Sequence, residues 1–141
     1  MNAHALASAD TLDAVIAALP AGLSTAERDL LERFTRSFFE RLPQDELEAR
    51  EPADWAAIAQ SFLGFTRQRA AGAPKIAVFN PTLAADGFES SHTIVRIVND
   101  DMPFLVDSVR MALTQFGATL HQIAHPVMAL ARDAAGQLQG L

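Results

Sequence analysis

The chain has 141 residues, 50% hydrophobic and 20% charged, with a formal net charge of −6, a balance that fits one folded domain with a real core, or a small α/β domain with a helical extension, rather than a disordered chain. An acidic chain with no basic block lacks the footprint that phosphate-backbone binding requires, which argues against nucleic acid and anionic membranes. The absence of cysteine removes disulfides, thiolate nucleophiles and Cys-ligated zinc together, and fits a reducing cytoplasm.

The first eight or nine residues are small and polar enough to be loose. No Lys or Arg precedes the first apolar stretch and Asp10 and Asp13 interrupt it, so it fails as a signal peptide, and no run approaches the roughly 18 apolar residues of a membrane helix. Leu12, Val15, Ile16 and Leu19 stand at helical spacing and predict a short helix over 11–19, stopped by Pro20 and Gly22. Ser24 to Glu27 has the capping-box pattern, in which the serine oxygen takes a free N–H and the glutamate reaches back. The helix that follows carries Leu30, Leu31, Phe34, Phe38 and Leu42 toward a core, with Glu32, Arg33, Arg36 and Glu40 outside.

Pro43 ends that helix and opens a short turn through 44–49. Pro52 suits the first turn of another helix, with Trp55, Ile58, Phe62 and Phe65 on one face, Arg67 and Arg69 in its last turn, and Gly72 as its stop. Phe34, Phe38, Phe62 and Phe65 read as helix–helix core, whereas Phe39 and Trp55 read as exposed contact surface. At Gly72-Ala73-Pro74 the period changes from 3.6 to 2, the one visible boundary, dividing a helical segment 1–73 from an α/β segment 74–141. Lys75 to Asn80 predicts a strand and Thr93 to Val98 its neighbour, joined by a loop too long for a tight hairpin. A helix over 103–116 shows Leu105, Val109, Leu113 and Phe116 on one face, with Gly117 at the left-handed C′ position. A strand over 118–132 follows, at an edge or bulged at Pro126, and Asp133 to Gly136 turns into a returning strand. The sheet reads as incomplete.

The densest chemistry lies at Asn99, Asp100, Asp101 and Met102, before Pro103. Carboxylates between a strand end and a helix start suit capping of that helix first, and ligand or partner contact or a cation less well, since a hard cation wants more oxygen ligands at defined spacing. His121 and His125 have metal-ligand spacing on a helix. On a strand they stand about 13 Å apart, too far for one ion, so they read as partly buried, hydrogen-bonded side chains, and His92 and His4 as unremarkable. The seven glycines form neither a dinucleotide fingerprint nor a phosphate loop. Lys75, the only lysine, reads as a solvated strand end. Ser90, Ser91 and Ser108 have no base held by a third group. No residue here is assigned a catalytic, cofactor-binding or metal-ligating role.

The runs Val78-Phe79-Asn80-Pro81-Thr82, Ile97 to Val109 and His121-Gln122-Ile123-Ala124-His125-Pro126-Val127 resemble the N-terminal region of the large bacterial NAD-specific glutamate dehydrogenases. The resemblance covers 74–136 well and the helices from Ser24 more loosely. It implies an ACT-like, ferredoxin-like module, of a kind that binds amino acids or mediates oligomer contacts, cut from a longer cytoplasmic enzyme that deaminates glutamate to 2-oxoglutarate. NAD is implied for that parent and no cofactor for this segment. The ACT-like loop maps onto Asn99 to Pro103, and Phe104 stands where amino-acid-binding ACT domains place a glycine.

The reading is therefore an α+β chain, a helical N-terminal segment packed on an incomplete ACT-like β-α-β layer. Its implied role is a non-catalytic regulatory or assembly module whose partners are the rest of the parent chain and a homo-oligomer. The alternatives are an amino-acid effector sensor, in which Asp100 or Asp101 holds an ammonium group and helix N–H groups a carboxylate, and an interdomain contact that assists catalysis. Asn99, Asp100, Asp101, Met102 and Phe104 are the candidate effector or interface contacts. The strand edge after Arg132 is left without an assigned neighbour and invites dimerisation.

Overall fold

The computed structural model describes residues 5–141, which leaves His4 outside the described residues. Helix α1 spans Ala9–Ala17 and starts where the Ser8 hydroxyl accepts from the Thr11 N–H at 3.2 Å. The residues just before it are not loose. Ala7 donates to the Leu42 carbonyl and Gln44 to the Ala5 carbonyl, at 3.1 and 2.8 Å, so backbone pairing fastens the entry to α1.

Helix α2 (Thr25–Phe39) begins at Ser24, whose hydroxyl accepts from the Glu27 N–H. The glutamate does not complete the capping box; its carboxylate takes the Arg67 guanidinium at 3.2 Å instead. Residues 44–48 form a short helix, α3 (Gln44–Glu48), followed by α4 (Pro52–Thr66). Four helices thus bury one core, in which Val15, Leu31, Phe34, Leu47 and Ala59 are shielded from water. Phe39 and Trp55 belong to it too, contrary to their reading as contact surface. Their rings meet edge to face at 5.2 Å, and the indole N–H donates to the Leu47 carbonyl at 2.7 Å, which removes the polar reason for a tryptophan to stay wet.

Beyond α4 the backbone turns at Gly72, six residues after the helix has ended, and enters β1 (Lys75–Phe79). The strand pairs antiparallel with β2 (Ile94–Val98), with Ala77 opposite Arg96. The connection contains a single-turn helix, α5 (Leu83–Asp86), closed reciprocally: Thr82 caps the Ala85 N–H while Asp86 accepts from the Thr82 N–H. Helix α6 (Leu105–Gln115) ends in a Schellman motif, with Ala118 donating to Leu113 and Gly117 to Thr114, both at 3.0 Å.

Residues 118–130 form no strand, which corrects the long strand expected over 118–132. Alternating apolar residues make a strand only beside a free edge, and neither β1 nor β2 pairs with this segment. Only Ala131–Arg132 (β3) enters a ladder, with the returning Leu138–Gly140 (β4), across the turn expected at 133–136. This hairpin is bound to the exit of α4: Leu138 donates to the Arg67 carbonyl at 2.8 Å and Arg69 to the Gly136 carbonyl at 3.1 Å. The segment after Arg132 pairs within the chain, with β3 and with the exit of α4. The described residues thus show a mixed helix and strand architecture with two small antiparallel sheets.

Candidate functional site: the acidic turn and the exit of helix α4

Asp100 engages Arg69, whose Nη1 donates to Oδ1 at 2.9 Å. The arginine side chain is 10% exposed and the aspartate 69% exposed, so a solvated carboxylate reaches in to a shielded guanidinium. The hydrogen bond and the charge of Arg69 hold the Asp100 carboxyl below the usual aspartate range. Arg69 Nε donates to the Ala73 carbonyl at 2.7 Å, while Nη2 is buried without a partner.

The capping reading of the carboxylates is corrected. The N-cap of α6 is Phe104, no side chain caps the helix, and Asp101 is exposed. Pro103 and Phe104 separate the acidic pair from the free N–H groups, and Phe104 itself is left-handed at φ 62°. Phe104 is 76% exposed, next but one to an exposed Met102, and Asn99 Nδ2 lies 4.0 Å from the Met102 sulfur. Phe104 thus has the backbone conformation that glycine favours, at the position where the ACT resemblance places glycine.

The exit of α4 gathers Lys75 and Arg132 beside the arginines expected there from the sequence. Lys75 is not a solvated strand end: its Nζ donates to the carbonyls of Phe65 and Gln68 at 2.7 and 2.8 Å and stands 4.6 Å from the Phe65 ring centre. Arg132 donates to the carbonyls of Gly136 and Arg67 at 3.0 and 3.3 Å. Burial lowers the Arg132 pKa and the charge of Arg69 lowers it further. Lysine, two arginines and Asp100 therefore surround the negative end of the α4 dipole, where cations are stabilised. The distance of Arg132 from Arg69 along the chain hides this cluster from any local reading.

His121 and His125 are exposed, not partly buried, and no strand carries them. His121 instead meets His92, the two ring centres 4.1 Å apart. Among the described residues no group of three His, Cys, Asp or Glu is arranged to hold a metal ion, and no helix is long and apolar enough to cross a membrane.

A helical base carrying a two-stranded sheet, with an acidic turn tied back to that base, defines an α+β module. The chain belongs to the glutamate dehydrogenase ACT1 domain family, which matches residues 34–141. It is 37% identical over 109 residues to the NAD-specific glutamate dehydrogenase of Halomonas elongata, covering 77% of this chain and 7% of that protein. It is 34% identical over 106 residues to the NAD-specific glutamate dehydrogenase of Pseudomonas aeruginosa, covering 75% of this chain and 6% of that protein. The chain thus spans a small fraction of the relatives it matches. No solved structure matches it.

Proposed function

We propose that this chain is a non-catalytic regulatory or assembly module of a large, cytoplasmic NAD-dependent glutamate dehydrogenase. In this reading the parent oxidatively deaminates L-glutamate to 2-oxoglutarate and ammonia, and NAD and the reacting groups lie elsewhere in it. Residues 1–73 act as a helical base and 74–141 as the ACT-like part, in the ferredoxin-like manner, and this part docks against the rest of the parent and its oligomeric copies.

One observation carries the docking role. Paired residues of an antiparallel ladder share a face, so Ile76, Val78, Val95 and Ile97 form one side of the β1–β2 sheet. Ile76, Val78 and Val95 on it are exposed. Helix α6 buries none of its residues, and Met102, Phe104, Met111 and Phe116 around it are exposed as well. A large apolar surface of this kind marks an interaction site in a soluble protein. Effector sensing at the acidic turn is less well supported, because Asp100 is already engaged by Arg69.

The test compares Val78→Lys in this chain and in the full enzyme. Because Val78 is 66% exposed, the chain alone should melt as the wild type does, whereas the enzyme should lose assembled mass in sedimentation. An enzyme with wild-type mass and turnover would overturn the docking role.

A further inference from the structure

The fold gives His121 an imidazole partner other than the His125 that follows it in sequence. His92, in the loop that enters β2, stands against it with ring centres 4.1 Å apart and planes inclined by 50°. Both side chains are exposed, so neither ring fills a core. A ring contact at the surface would be served equally well by carbocyclic side chains. What two imidazoles add is ligating nitrogen, which suits borderline divalent ions such as zinc.

The surroundings orient those nitrogens. His92 Nδ1 lies 3.2 Å from the Ser91 hydroxyl, and the His92 backbone N–H donates to the Ser90 hydroxyl at 3.1 Å. With Nδ1–H donating to Ser91 the free lone pair stays on Nε2, and a second hydrogen bond of this kind is what fixes the tautomer of a ligating histidine. Among the described residues the His121 ring makes no hydrogen bond, which leaves its nitrogens available. Two nitrogens each about 2.0–2.1 Å from one zinc ion stand about 3.3 Å apart at the tetrahedral angle. Rings already 4.1 Å apart, on side chains in solvent, reach that spacing by rotation about their own χ angles. Neighbouring charge is mixed: Glu46 accepts from Gln122, beside His121, at 2.7 Å, and Arg50 donates to the carbonyl of Glu89 at 3.0 Å. The chain's net charge of −6 tips the balance toward a cation.

The two rings also belong to segments that little else joins. Among the described residues 119–130 make no backbone hydrogen bond, and the Gln122–Glu46 contact is the one side-chain hydrogen bond of that stretch. We propose that His92 and His121 form a two-imidazole site for a divalent transition-metal ion, zinc in the first place, which clips the segment after α6 to the loop before β2. The remaining positions on the ion fall to water. The site stands apart from the docking reading and would persist if that reading failed.

Zinc sulfate titrated into the 141-residue chain by calorimetry, with the imidazole nitrogens followed by long-range proton–nitrogen magnetic resonance, tests the site. One zinc per chain is expected, with saturable shifts at His92 Nε2 and at one ring nitrogen of His121, and slower amide exchange over 119–125. Magnesium, which prefers oxygen ligands, should leave both rings unmoved. His92→Ala and His121→Ala should each weaken zinc binding by at least about tenfold, with the circular dichroism unchanged because both side chains are exposed. His125→Ala should bind zinc as the wild type does. Absence of zinc uptake, ring shifts confined to His4 or His125, one zinc shared by two chains, or a His121→Ala variant of unchanged affinity would each overturn the site.

Discussion

Asp100 and Phe104 show how single side chains set the acidic turn. Asp100→Asn keeps the shape but removes the charge that Arg69 faces, so hydrogen exchange at 99–104 should accelerate while the helical core is unaffected. Acid should do the same to the wild type. The folded pKa of Asp100 is depressed, so the contribution of its pairing is full above the ordinary aspartate value of about 3.9 and is lost as pH falls through the lower folded value. A wild-type turn that stayed protected in that acid range would contradict the pairing. Phe104 presents the opposite situation, a bulky residue in a left-handed backbone with its ring in water. Left-handed geometry costs a non-glycine residue about 1–2 kcal/mol, partly offset by the entropy that glycine adds to the unfolded chain. Phe104→Gly should therefore hold or raise stability by up to about 1 kcal/mol in urea unfolding, and a clear loss would show that the ring packs within this chain.

Among the elements, the longer helices were legible because their signals are local, whereas α3 and α5 lie in stretches that read as a turn and a loop, and α4 stops at Thr66, short of the Gly72 expected to end it. Ser24 and Gly117 mark ends through bonds made within a turn or two, Pro52 marks a start through its fixed φ and missing N–H, and the aromatic stripe of α2 and α4 needs only a period to be seen. The hairpin β3–β4 was legible through its turn residues. The strand expected over 118–132 was not, because a strand exists only with a neighbour and no neighbour is written in its own residues. The same reason hid the anchor of that hairpin. Gly136 is buried at φ 85°, and a Cβ on it would collide with the Arg69 carbonyl. Its sequence signal is that of a turn, yet its place is fixed by contact with a residue far back in the chain. Gly136→Ala should cost roughly 1–3 kcal/mol and release residues 131–140 from α4, read as new exchange at the Arg69 and Leu138 amides. Lys75 makes a smaller and separable contribution: Lys75→Met leaves two carbonyls at the α4 terminus without their charged donor and should lower stability by about 1 kcal/mol.

Across the whole molecule, burial is uneven. Among the described residues the buried hydrophobic side chains run from Leu12 to Leu63, and Phe88 is the one beyond them. Helix α6 buries nothing, and residues 118–130 have no ladder. Local opening is easiest where few apolar contacts are lost, so the chain should have two tiers of stability even if it melts in one transition. In native-state hydrogen exchange, amides of α2 and α4 should open only with global unfolding, whereas those of α6 should open with a free energy lower by roughly 2 kcal/mol or more. The same measurement on the full enzyme gives the contrast that matters. If α6 and the face of Ile76 and Val78 are covered there, their amides should slow while those of α2 and α4, already limited by the core, change little. Equal protection of α6 and α4 in this chain alone would mean that α6 draws its stability from contacts within these 141 residues, and the apolar surface would then need no partner to explain it.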